Sequence, residues 1–211
     1  PNGLVLACVP ERADRRDALA GCALGDLAEG ATVATGSVRR RAQLAALRPD
    51  LRFAELRGNL QTRLEKIPDG GAIVVAVAAL ERLGLTERIA SVFEPDEMVP
   101  QVAQGALAVE CRADDAELCT RLHAIENAWA RREVDAERAF LAAIGSGCDL
   151  PVGATATIDD SSGQLILRGL LAAVDGTQVV RGSAAGRHPE TLGYELAQQV
   201  LYIDGGIDLL P

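Results

Sequence analysis

The sequence predicts an α/β domain built on a mostly parallel sheet, followed by an α+β domain of three antiparallel strands and helices. Three observations predict it. Strand, turn and helix signals alternate three times between residues 32 and 84. A long amphipathic segment runs from Asn127 to Ile144 and stops at a glycine-rich break, and three strand-like runs separated by turns follow that break. With 211 residues, 48% hydrophobic and 24% charged, the chain is long enough for more than one buried core and has the composition of an ordinary folded protein.

Taken in order, Leu4–Val9 is a short apolar run of strand type, and the charged stretch Glu11–Asp17 reads as a connection. Thr32–Thr35 is a second strand. Ser37 then serves as a helix N-cap, because its hydroxyl accepts from an otherwise unpaired first-turn amide, and Val38–Leu47 carries a helical stripe of Val38, Leu44, Leu47 and alanines. Leu51–Leu56 reads as strand, and Gly58-Asn59 as a turn into a helix over Leu60–Ile67. Ile73–Val77 is the continuous apolar run of a strand buried on both faces, leading to a short helix, Ala79–Leu83, that ends at Gly84. Gly105–Cys111 is a further strand and Ala116–Ile125 a helix. In Asn127–Ile144 the apolar face is Trp129, Val134, Phe140, Leu141 and Ile144. Val152–Ile158, Gln164–Val174 and Gln178–Ser183 are the three later strands, and Pro189 opens a final helix to Tyr202.

The chain has 21 basic and 30 acidic residues, a net charge of −9, which argues against coating nucleic acid through a general positive field. Lys66 is the only lysine, so the positive charge is almost all arginine, whose planar fork suits carboxylate and phosphate. Between Ser37 and Lys66 eight positive residues face three negative ones, so that window carries +5 and the remainder −14. Arg39 and Arg40 lie in the first turn of a helix that follows a strand, where the helix dipole favours an anion. Arg57 and Arg63 lie at the end of the next strand and in the next helix. In an open parallel sheet these four converge on one polyanionic ligand; the alternative is a solvated surface run paired with Glu55 and Glu65. One aromatic, Phe53, is too little to stack bases along a strand of nucleic acid.

Five cysteines without a CxxC pair, and only His123 and His188, point to reduced thiols in a cytoplasm rather than a disulfide framework or a metal centre. No apolar stretch approaches the roughly 18 residues of a membrane span. Pro1 at the start and Met98 as the only methionine lead to the expectation of a chain that continues upstream. Cys148 stands apart, in the turn Gly145-Ser-Gly-Cys-Asp-Leu-Pro151. Backbone freedom there suits a nucleophile or an attachment point, and equally a structural cysteine.

Four motifs then carry a resemblance. Thr35-Gly-Ser-Val-Arg-Arg-Arg-Ala-Gln-Leu44, Leu56-Arg-Gly-Asn-Leu-Gln-Thr-Arg-Leu64, Val99-Pro-Gln-Val-Ala-Gln-Gly-Ala-Leu-Ala-Val-Glu-Cys-Arg112 and Ala136-Glu-Arg-Ala-Phe140 with Gly147-Cys-Asp-Leu-Pro-Val-Gly153 occur in the order and spacing of the hydroxymethylbilane synthase, or porphobilinogen deaminase, family. The resemblance implies a type II periplasmic-binding-protein-like fold with a C-terminal α+β domain, and a first domain that is largely missing. Its implied divisions are residues 1–10 with 102–125 as the remnant of domain 1, 11–101 as domain 2 and 127–211 as domain 3. The remnant is expected to expose apolar surface, and the family's catalytic aspartate has no counterpart assignable by motif, so little or no turnover is expected of these residues alone.

The implied reaction is the stepwise condensation of four porphobilinogen molecules onto a primer, with release of ammonia, and then hydrolysis to hydroxymethylbilane. The implied cofactor is one covalent dipyrromethane per chain, joined through a thioether at Cys148. Each pyrrole carries an acetate and a propionate, which gives the arginines a ligand. By motif position Thr35, Ser37, Arg39, Arg40, Arg57, Gly58 and Arg63 bind the cofactor, and Arg82 and Gln104 the substrate. Arg41 is the weakest of its triplet. A monomeric cytoplasmic enzyme with a small-molecule substrate, no metal, no nucleic acid and no membrane is the implied setting. The alternative from another class is a non-catalytic carboxylate-binding module.

Overall fold

The computed structural model describes residues 2–145 and 150–210, so Cys148 lies outside the described residues. The first part of the chain forms β1 (Leu4–Cys8), β2 (Asp17–Gly21), β3 (Thr32–Ala34), α1 (Val38–Leu47), β4 (Arg52–Ala54), α2 (Leu60–Leu64), β5 (Ala72–Ala76), α3 (Val77–Arg82) and β6 (Ile89–Val92). The second part forms β7 (Val109–Arg112), α4 (Ala116–Leu122), α5 (Ala128–Ile144), β8 (Val152–Ile158), β9 (Leu165–Ala172), β10 (Val179–Gly186) and α6 (Pro189–Gln198).

Local chemistry accounts for the helix ends. Ser37 Oγ accepts from the Arg40 amide at 3.4 Å, Asn59 Oδ1 from Thr62 at 2.9 Å, and Asn127 Oδ1 from both Trp129 and Ala130 at 3.0 Å. Gly145 ends α5 with φ of 74°, a conformation a side chain would strain.

The strands sort into three sheets: a β1–β7 ribbon, a five-stranded sheet ordered β4-β3-β5-β2-β6, and a three-stranded sheet ordered β10-β9-β8. The five-stranded sheet buries both faces. Leu19, Val33 and Val74 pack with Leu44, Phe93 and Met98 on one side, while Ala20, Ile73 and Val75 pack with Leu56 and Leu80 on the other. This is the alternation of a strand with two covered faces. Phe140, Leu165, Leu167, Leu171 and Leu196 centre the core between the three-stranded sheet and helices α5 and α6.

The five-stranded sheet is mixed, not mostly parallel. β3 runs parallel to β4 and β5, but β2 lies antiparallel to both β5 and β6. The reason is the path of the chain: β2 enters from the ribbon through a crossover rather than from a preceding helix. Neither β2 nor β6 was expected, since DALAG and IASV are short and lack the apolar run of β5. Trp129 is 53% exposed and does not belong to the buried face of α5, which is Ala130, Val134, Ala136, Phe140 and Ile144. β7 begins at Val109, because Gln104 and Ala106 donate back to Gln101 and Ala103 and fold the preceding stretch into turns. Gly105, with φ of 84°, sits where a Cβ would come within 2.5 Å of the Ala13 carbonyl oxygen. α6 ends at Gln198 and continues as a π-helical turn, Gln199–Ile203.

Two crossovers join the ribbon to the five-stranded sheet, residues 9–16 and 93–108, and they bond to each other: Ala13 donates to the Gly105 carbonyl at 3.2 Å. Buried Glu137, on α5, ties them to the C-terminal sheet. It receives both terminal nitrogens of Arg12, at 2.7 and 3.0 Å, and the amides of Ala103 at 2.6 Å and Ala156 at 2.8 Å. Burial pushes this carboxyl above its ordinary 4.5, with Arg12 and the two amides opposing. Leu4 and Val5 in the ribbon, and Leu107, Leu118 and Ile125 outside its strands, are exposed apolar side chains. Among the described residues no helix is long and apolar enough to cross a membrane.

Candidate active site

The sequence TGSVRR places a strand end, a tight glycine and a capped helix N-terminus in succession, and β4 brings Leu56, Arg57 and Gly58 alongside. Thr35 follows β3 and donates its amide to Ala54 at 2.9 Å, while its hydroxyl accepts from the Ser37 amide at 3.2 Å. Gly36 lies against the next loop so closely that a Cβ would stand 2.7 Å from the Leu56 carbonyl oxygen. Gly58 has φ of 123°, which turns the chain into α2. These segments enclose a cavity of about 470 Å³ lined by Thr35, Gly36, Ser37, Arg40, Leu56, Arg57, Gly58, Arg63 and Val74. Three arginines and no acid line it.

The arginines differ in how they are held. Arg57 has a side chain 90% exposed, with Glu55 only at 3.9 Å. Arg63 donates Nε to the Gly58 carbonyl at 2.8 Å, which spans the loop it follows. Arg40 is anchored: Nε and Nη2 donate to Asp17 Oδ1 at 2.9 and 2.7 Å, and Nη1 donates to the Val74 carbonyl at 3.1 Å. These bonds use three of its five N–H groups and leave two for a ligand.

Asp17 is the residue that sequence reasoning missed. It opens β2, is fully buried, and receives Arg39 Nη1 at 2.8 Å and Gln104 Nε2 at 3.0 Å besides Arg40. Burial would raise its carboxyl, but Arg39 and Arg40, with the Gln104 bond, outweigh burial and hold it below its ordinary 3.8. The signal available was a carboxylate set directly before the short apolar stretch Ala18-Leu19-Ala20, a buried place that only paired cations make tolerable.

Of the sequence-predicted residues, the cavity unites Thr35, Ser37, Arg40, Arg57, Gly58 and Arg63. Arg39 is not at the cavity: it is 2% exposed and directed at Asp17 and the Val99 carbonyl, at 2.7 Å from the latter. Adjacent positions on a helix diverge by about 100°, so Arg39 and Arg40 reach opposite oxygens of the same carboxylate. Gln104 reaches Asp17 and the Arg15 carbonyl rather than the cavity, and Arg82 donates to the Gly105 carbonyl at 2.8 Å, away from the lining. Arg41 stacks its guanidinium 5.7 Å from the Phe53 ring centroid on the outer side of α1.

A family model described as "Porphobilinogen deaminase, dipyromethane cofactor binding domain" matches residues 1–120, and one described as "Porphobilinogen deaminase, C-terminal domain" matches residues 131–202. A porphobilinogen deaminase of Roseiflexus sp. (strain RS-1) is 48% identical over 209 residues, covering 95% of this chain and 68% of the relative. That of Roseiflexus castenholzii is 47% identical over 212 residues, covering 97% and 69%. That of Brevibacillus brevis is 40% identical over 206 residues, covering 95% and 66%. The chain therefore spans about two thirds of the length of these relatives.

Proposed function

We propose, from the premise that the chain belongs to the porphobilinogen deaminase family, that the arginine-lined cavity holds the acetate and propionate groups of pyrrole rings. The activity is that of a transferase, hydroxymethylbilane synthesis from porphobilinogen in tetrapyrrole biosynthesis, and its cofactor is dipyrromethane. The reading as a non-catalytic binding module is thereby set aside.

The observation that carries the cavity assignment is the excess of cations without a lining acid: Arg40, Arg57 and Arg63 surround a space closed by Gly36 and Gly58. A polycarboxylate fits such a site, because each guanidinium offers a planar pair of donors to one carboxylate. The N-terminus of α1 adds the positive end of a ten-residue helix. When bound, the dipyrromethane supplies the pyrrole carbon onto which porphobilinogen is joined.

The chain's own residues divide the remaining work. Asp17 and the Val74 carbonyl fix the Arg40 guanidinium at the cavity wall before a ligand arrives and leave two of its N–H groups for that ligand. Arg57, free to swing, is the first cation an arriving carboxylate meets. Arg39 and Gln104 act through Asp17 as positioning residues, Arg39 also through Val99. Ser37 and Thr35 contribute hydroxyls at the cavity wall.

The separation of the strands into three sheets supports the division into residues 1–10 with 102–125, 11–101 and 127–211. The antiparallel crossover strand β2, set between β5 and β6, supports a type II periplasmic-binding-like central domain.

Cys148 is the proposed attachment residue. The test supplies preassembled dipyrromethane to the chain and maps tryptic peptides. The peptide Ala139–Arg168, which carries Cys148, gains the mass of the adduct, and Cys148→Ala abolishes the gain. An unmodified thiol after that supply overturns the assignment.

A further inference from the structure

The ribbon holds a thiol pair that the carboxylate cavity does not use. Cys111 Sγ, on β7, and Cys119 Sγ, on α4, stand 3.3 Å apart, and both are free thiols. Local geometry brings them together. Cys111 lies opposite Val5 in the ribbon, and the Ala113 amide donates to the Gly3 carbonyl at 2.9 Å as the chain turns. Asp115 then caps α4 by accepting from Leu118 at 3.0 Å, and Cys119 lies one helical turn beyond it, facing back to β7. A disulfide needs sulfurs about 2.05 Å apart, so a closure of about 1.2 Å between a strand and a seven-residue helix suffices. Cys8 is fully buried opposite Val109, and Cys22 packs against the core of the five-stranded sheet.

We infer that Cys111 and Cys119 form a reversible intramolecular disulfide, an oxidative modification site distinct from the proposed attachment at Cys148. The oxidant is a low-molecular-weight disulfide of the glutathione class. Cys119 is the more exposed of the two thiols and reacts first. Its thiolate attacks one sulfur of the oxidant, that S–S bond breaks, and the departing thiolate takes a proton from water. Cys111 then gives its proton to water and attacks Cys119 Sγ, which expels the second small thiol. The two protein thiols lose two electrons and two protons, and the oxidant is reduced to two thiols. Contact with Cys119, together with burial, pushes the Cys111 thiol up to about 11, consistent with its place in the second step. The linkage staples α4 onto β7, at the point where the chain passes through Ile125 into α5.

The site of cleavage by trypsin makes the test direct, because Arg112 lies between the two cysteines. The whole chain is incubated with glutathione disulfide in mildly alkaline buffer, its remaining thiols are alkylated, and it is digested without reduction. The expected product is Ile89–Arg112 joined to Ala113–Arg121, two hydrogens lighter than the sum of the separate peptides and released by dithiothreitol. Cys111→Ser and Cys119→Ser each remove it. Recovery of the two peptides separately, alkylated or carrying glutathione, overturns the inference, as does a bond from either cysteine to Cys8. The unmutated chain decides the matter even if a serine variant folds poorly.

Discussion

Arg40 and Asp17 meet through two bonds to one oxygen, Nε at 2.9 Å and Nη2 at 2.7 Å, while Arg39 takes the other oxygen at 2.8 Å. One buried carboxylate thus joins the crossover strand β2 to helix α1, and it sets the direction of the one cavity arginine that is firmly held.

Asp17→Ala removes the counter-charge of a buried arginine and is expected to cost about 3–5 kcal/mol of stability, as when one partner of a buried pair is lost. Urea unfolding of the variant beside Arg57→Ala measures it. A loss no larger than that of Arg57→Ala would show that Asp17 does not hold this part of the fold.

Acid should act through the same carboxylate. Its value is depressed in the folded chain, so its contribution is complete above the ordinary 3.8 and is lost as pH falls through the folded value. The unfolded chain takes up the proton first. The urea midpoint of Asp17→Asn should therefore change less between about pH 5 and pH 2 than that of the unmutated chain. Parallel curves would exclude Asp17 as a source of acid sensitivity.

Arg57→Ala separates binding from stability. Its side chain is solvated and its nearest acid is 3.9 Å away, so stability should move by no more than about 0.5 kcal/mol. Affinity for porphobilinogen should fall by about 10-fold or more, the worth of a charge-assisted hydrogen bond. Arg57→Lys should recover only part of this, lacking the planar fork. Calorimetric titration provides both comparisons.

Glu137→Ala leaves Arg12 buried without its bidentate partner and frees the Ala103 and Ala156 amides. A loss of about 3–5 kcal/mol is expected. Hydrogen exchange should rise at both crossovers, whereas α1 and β4 should keep their protection. Exchange confined to α5 would contradict the role of Glu137 as a junction.

Gly193→Ala tests the contact of α5 with α6. A Cβ at Gly193 would lie 2.6 Å from Ala139 Cβ and 2.7 Å from the Phe140 nitrogen, so the helices must separate. The expected cost is about 1–3 kcal/mol, that of overpacking. An unchanged thermal midpoint would show that the helices part freely.

Short-range chemistry was enough to read α1 and α5 to within a residue, because Ser37, Asn127 and Gly145 cap their ends and the apolar stripe repeats within each helix. The gathering of Thr35, Ser37, Arg40, Arg57 and Gly58 was equally legible, since they sit at consecutive strand ends of one sheet. The antiparallel placing of β2, the turning of Arg39 away from the cavity and the exposure of Trp129 were not. Each depends on what arrives from far along the chain: β2 on its neighbours β5 and β6, Arg39 on Asp17 and Val99, and Trp129 on where the core of α5 closes. The arginine excess was visible as composition, but a charge in sequence has no direction. The carboxylate that fixes Arg40 and draws in Arg39 lies 23 and 22 residues away from them respectively, and folding alone brings it within bonding distance.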